Sequence, residues 1–90
     1  MNRADILYEA KICVTRDRNA THGNPEDSFA AIAELWSAHL HQRITGIDVA
    51  VMMALLKCAR IKANPANPDN WIDGAGYLAC GGEIATGASA

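Results

Sequence analysis

Side chains that could act on a ligand collect in three short stretches of this chain. The first is Arg16-Asp17-Arg18 with Thr21-His22-Gly23-Asn24-Pro25-Glu26-Asp27, the second is Lys57 with Arg60, and the third is Asp69 with Asp73. Carboxylates facing a group of Lys and Arg suit a phosphate ligand that carries a divalent metal. The cations neutralise phosphate oxygens and the carboxylates share the metal. Antiparallel packing of successive helices would gather all three stretches at one end of a small bundle. Such a pattern supports a site more firmly than it supports any one reaction.

Lys57 and Arg60 stand three residues apart, on one face of the most apolar helical segment of the chain. Burying either charge unpaired is costly, so each should find a partner or snorkel to solvent near the negative end of its helix. Asp69 and Asp73 are four apart, again on one face, with Tyr77 a turn further on. Two carboxylates so spaced can converge on one cation. Equally, Asp69 can cap a helix after Pro68 while Asp73 pairs with Arg60. In the first stretch a helix N-terminus offers N–H groups to an anion, and Arg16, Arg18 and His22 add positive charge. Asn24 as a cap, with Asp27 completing a capping box, is the structural alternative there. Trp71 either stacks on a base or packs in the core. His39 and His41 read as exposed, and Glu34 as a solvated residue or a carboxylate ligand.

The elements that must position these residues are helical. Ile6, Leu7, Ala10, Cys13 and Val14 form a stripe at helical spacing, which predicts a first helix over 5–16. Residues 16–25 are polar and read as a loop. Pro25 suits the first turn of a second helix, which turns Phe29, Ile32, Ala33, Trp36 and Leu40 inward. Thr45 and Asp48 have capping-box spacing, and the short connection before them predicts antiparallel neighbours. The third helix, 46–62, is apolar on almost every side and belongs at a bundle centre or in an oligomer interface. Pro65 and Pro68 then break the chain, and a fourth helix runs over 69–84. Four glycines weaken it, of which Gly74 and Gly76 are expected to mark a close helix approach. The expectation is an all-α bundle of about four helices, one domain over 1–85, with a flexible tail at 86–90.

Composition narrows the function classes. The 90 residues are 50% apolar and 20% charged, with a net charge of −2. That composition argues against disorder and against general nucleic-acid binding through a basic surface. The longest apolar run, Val49 to Leu56, falls short of the ~20 residues a membrane span needs. No secretory signal is expected, and the odd, widely spaced Cys13, Cys58 and Cys80 read as buried reduced thiols. A cytoplasmic protein is expected, with oligomerisation an obvious way to enlarge a small core.

Beyond composition, the chain resembles a small domain family of unknown function that is common in tailed phages and prophages. The residues that carry the resemblance are Arg16-Asp17-Arg18, His22-Gly23, Pro25-Glu26-Asp27, Phe29, Leu35-Trp36, Asp48-Val49-Ala50, Lys57, Arg60, Asp69, Asp73 and Gly76-Tyr77. His22 stands where a Tyr is more usual. More distantly, the family looks similar to all-α nucleoside-triphosphate pyrophosphatases of the MazG type, which bind Mg²⁺ through helical carboxylates. That likeness implies a MazG-like oligomeric bundle with a Mg²⁺-nucleotide pocket, in the cytoplasm of a bacterial host. MazG-type enzymes carry an E-x-x-E pair and a later E-x-x-D pair. Here the acids are Glu26 and Glu34, then D-x-x-x-D in Asp69 and Asp73. The departure bears on catalysis more than on binding.

Three functions follow as expectations. In the first, the protein binds a Mg²⁺-nucleotide and hydrolyses it as a pyrophosphohydrolase. Asp69, Asp73 and Glu26 or Asp27 would then hold the metal, and Lys57, Arg60, Arg16, Arg18 and His22 would hold phosphates. Asp69, Asp73 and Lys57 would be the catalytic groups, and Trp71 and Tyr77 would stack on the base. In the second, a non-catalytic phage accessory protein sequesters a signalling nucleotide or docks on a host protein. In the third, the charged clusters are interhelical ion pairs of a purely structural oligomer.

Overall fold

The computed structural model describes residues 1–17 and 25–87, and at 16–17 and 25–27 the backbone alone. Among the described residues every element is helical. They are α1 (Arg3–Ile12), a π-helical turn (Cys13–Asp17), α2 (Pro25–Leu40), α3 (Gly46–Ala63) and α4 (Pro68–Thr86). No described helix is long and apolar enough to cross a membrane.

Local side-chain chemistry sets the helix ends. Asn2 and Asp5 form a capping box at the start of α1: Asn2 Oδ1 accepts from the Asp5 N–H at 2.9 Å, and the Asn2 N–H donates to Asp5 Oδ2 at 3.1 Å. Beyond Ile12 the helix widens into the π turn, where the Thr15 hydroxyl donates to the Lys11 carbonyl at 2.6 Å. α3 opens on the Thr45–Asp48 box that the sequence spacing predicts. At α4, Asp69 is not the cap. Asn67 takes that role, its Oδ1 accepting from the Asp69 N–H at 3.0 Å, because Pro68 fills the first helical position. α4 runs to Thr86 and ends on Gly87, which is left-handed at φ 62°.

α3 and α4 are the central antiparallel pair. Lys57 meets Asp73 and Gly74, and towards the start of α3 Ala50 meets Gly81. A methyl on Gly81 would stand 2.6 Å from the Ala50 Cβ, so the helices close to contact there. α1 runs along α4 in the same direction. Ile6 lies by Trp71, and Val14 Cγ1 lies 3.1 Å from where a methyl on Gly76 would sit. The close approach thus falls at Gly76 and Gly81. Gly74 leaves only ordinary contact with Lys57, and Gly82 faces open space.

α2 does not pair with α3 as an antiparallel hairpin. Such a hairpin would set the end of α2 on the start of α3, but it is Phe29, in the second turn, that lies against Gly46. The reason lies in the connection. His41 turns left-handed (φ 53°) and the Gln42 N–H donates to the Ser37 carbonyl at 3.3 Å, closing a Schellman-type end. Ser37 Oγ then accepts from the Ile44 N–H at 2.8 Å and donates to its carbonyl at 3.2 Å. These bonds fold the chain back along α2 before α3 begins.

The core is small and built from small side chains. Phe29 and Val49 are fully buried, in one cluster with Ala33, Ala50 and Cys80. Leu7 and Leu40, expected inside, are 64% and 48% exposed. α1 reaches α4 through Ala10 and Val14 instead, and the Schellman turn carries the end of α2 outward. Only one side of α3 is covered, with Val49, Ala50 and Ala54 buried and Val51, Leu55 and Leu56 exposed.

Candidate functional site

The charged residues come together in part. Lys57 Nζ lies 3.1 Å from Asp73 Oδ2, so Lys57, rather than Arg60, is the partner of Asp73. Antiparallel packing of α3 and α4 explains the choice, because it sets Lys57 level with Asp73 and Gly74. The Lys57 side chain is 12% exposed and that of Asp73 is 40% exposed. The ammonium is thus held at the edge of an apolar helix by a carboxylate that solvent can reach.

Around this pair the other segments are graded along α4. Arg60 and Asp69 are exposed, nearer the α3–α4 connection. The π turn reaches α4 one turn past Asp73, where Cys13 and Val14 join Asp73, Gly76 and Tyr77 around a cavity of about 10 Å³, room for no more than a water. The Tyr77 ring packs against Phe29 of α2, with centroids 6.3 Å apart and planes at 37°. The start of α2 therefore enters beside Tyr77. Cys13, Val14 and Phe29 thus approach α4 past Asp73, while Arg60 and Asp69 lie near the α3–α4 connection. The second and third stretches meet at Lys57 and Asp73, and the first falls largely outside the described residues. Arg18 and His22, and the side chains of Arg16, Glu26 and Asp27, lie outside the described residues.

Among the described residues, no group of three or more His, Cys, Asp and Glu side chains is placed to share a metal ion. Two carboxylates, Asp69 and Asp73, stand a turn apart on α4. That set is thin for a protein-built cage. It does match the habit of Mg²⁺, which takes one or two carboxylates and completes its shell with water and phosphate.

A feature that sequence reasoning missed lies on the other side of α4. Two adjoining cavities, one of about 290 Å³ with a mixed lining and one of about 330 Å³ with an apolar lining, share Ile6 and Trp71. The larger is floored by Ala54, Gly74 and Ala75 and walled by Cys58, Ile61 and Leu78. Trp71 is 46% exposed, and its Nε1–H donates to the Pro65 carbonyl at 2.9 Å. It belongs to a groove and not to the core. The hint available in the sequence was the run Gly74-Ala75-Gly76, too small to fill the space beside a tryptophan. Cys80 is buried as expected, Cys13 is half-buried and Cys58 is exposed, with no disulfide among them.

The described residues define an all-helical chain with an ion-paired seam between α3 and α4 and a groove beside Trp71. The family follows from comparison. A family model described as a domain of unknown function, DUF6378, matches residues 5–85, and the chain belongs to that family. Among curated proteins it is 41% identical over 75 residues to the Gene 55 protein of Mycobacterium phage D29, covering 83% of this chain and 50% of that protein. It is 38% identical over 73 residues to the Gene 55 protein of Mycobacterium phage L5, covering 80% of this chain and 47% of that protein. The chain therefore spans about half the length of these relatives. No solved structure matches it. The phage-type family expected from Arg16-Asp17-Arg18, Pro25-Glu26-Asp27 and the motifs after them is the one found.

Proposed function

We propose that the chain is a phage accessory protein that binds a nucleotide through its phosphates, at the seam where α3 meets α4. The observation that carries this reading is the Lys57–Asp73 pair. An ammonium is held at 3.1 Å by a carboxylate that is itself 40% exposed, on a mainly apolar helix. A phosphate can take over from Asp73 as the counter-ion of Lys57, with the exposed Arg60 one turn further along α3. Lys57 and Arg60 bind and orient phosphates. Asp73 and Asp69, with Glu26 or Asp27 from the start of α2, are the residues that would hold Mg²⁺. Bound there, the metal would supply charge neutralisation and a more acidic water. With the cavity beside Asp73 holding only a water, the ligand lies over the seam, away from Trp71 on the other side of α4. The distant resemblance to MazG-type proteins read from the sequence motivates a nucleotide as the ligand, and the departures from their acidic motifs favour binding over turnover.

A thermal-shift screen against nucleoside mono-, di- and triphosphates and cyclic and dinucleotide signals, with and without Mg²⁺, tests it. A ligand at 100 times its dissociation constant adds about 2.7 kcal/mol of stability. That shift is expected for the native chain and is expected to vanish in Lys57→Met. Silence across the screen would remove the nucleotide reading. One observation favours a second reading, docking on a host protein. The cavity of about 330 Å³ at Ile6 and Trp71 is apolar and of ligand size, and an apolar side-chain anchor from another protein would fill it.

A further inference from the structure

The outer face of α3 carries a pattern that neither the seam nor the groove uses. Asp48, Met52, Leu55, Ala59 and Lys62 follow one another at steps of four, three, four and three residues, the spacing of a coiled-coil seam. All five are exposed, with Leu55 at 60%. The sequence along this face is symmetric in chemistry about Leu55. Asp48 stands seven residues before it and Lys62 seven after, with Val51 four before and Ala59 four after.

We infer that α3 pairs with α3 of a second copy, antiparallel, about a two-fold axis through Leu55. In that arrangement Asp48 of each copy faces the partner's Lys62, giving two ion pairs at the rims of an apolar centre. The capping bonds at Asp48 run to Oδ2, so Oδ1 is left for that lysine. Ala59 opposite the partner's Val51 lets the helices approach closely. A parallel pairing would set Asp48 against Asp48 and Lys62 against Lys62, so the charges select the antiparallel one.

Sedimentation of the purified chain tests this, independently of any nucleotide. The expected result is a species of twice 9.6 kDa. Leu55→Glu should raise the dissociation constant by more than about tenfold and leave the helical circular dichroism unchanged. In a Cys58→Ser background, Leu55→Cys should cross-link to itself under mild oxidation, since residue 55 meets its own copy on the axis. Leu78→Cys, equally exposed on α4, should not. A native chain that stays monomeric at sub-millimolar concentration would overturn the inference and leave the face to a different partner. A dimer that survives Leu55→Glu, or cross-links through position 78 instead, would overturn it too.

Discussion

His41 and Asp73 show how much single residues decide. His41 holds a left-handed conformation (φ 53°) at the end of α2, where glycine is the usual occupant. Its Cβ is crowded in that conformation, at a cost of ~1–2 kcal/mol for a non-glycine residue. His41→Gly is therefore expected to stabilise the fold by ~1 kcal/mol, read as a higher urea midpoint with unchanged slope. A loss of stability would mean that the imidazole makes a contact worth more than the strain. Asp73 is the other case. Removing it leaves the Lys57 ammonium, 12% exposed, without its partner. The pair lies between surface and buried behaviour, so Asp73→Ala should cost ~1–2 kcal/mol. Lys57→Met keeps the packed stem, discards the charge and should cost less. Equal losses in both variants, with no ligand lost in either, would reduce the pair to a structural tie.

At the scale of elements, the α3–α4 contact is set by its glycines. Gly81 has no room for a side chain, since a methyl would sit 2.6 Å from the Ala50 Cβ. Gly81→Ala is expected to push the helices apart at a cost of ~1–3 kcal/mol. Gly82, its neighbour, faces open space, and Gly82→Ala should instead stabilise α4 by ~1 kcal/mol through helix propensity. Thermal unfolding of the two variants side by side checks the opposite signs. All four helices were legible in the sequence, because apolar spacing, prolines and the Thr45–Asp48 box are local signals. Their mutual arrangement was not. The doubling back at Ser37–Ile44 depends on one hydroxyl bonding seven residues away, and the parallel run of α1 on α4 depends on Gly76 admitting Val14. Neither shows in periodicity. Lys57 and Asp73 were recognisable as site candidates by type and spacing, yet their pairing with each other required the helix register. The groove at Trp71 went unseen because an aromatic beside small residues reads as core.

Among the described residues, few large side chains are fully buried. The core centres on Phe29, Val49 and small residues, and the most apolar helix is covered on one side only. Association and ligand binding are two ways in which a chain so built gains stability, and the inferred α3–α3 pairing would supply the first. The seam between α3 and α4 is where the second belongs. Both sit on the same helix, Lys57 on its inner edge and Leu55 on its outer face, so dimer formation leaves the seam accessible. Amide chemical-shift mapping on the ¹⁵N-labelled protein, titrated with a nucleoside triphosphate in the presence of Mg²⁺, tests the binding claim most directly. The expected result is saturable perturbation centred on Lys57, Arg60, Asp73 and Gly74. Perturbation confined to Ile6, Trp71 and Leu78, or none at all, would contradict it.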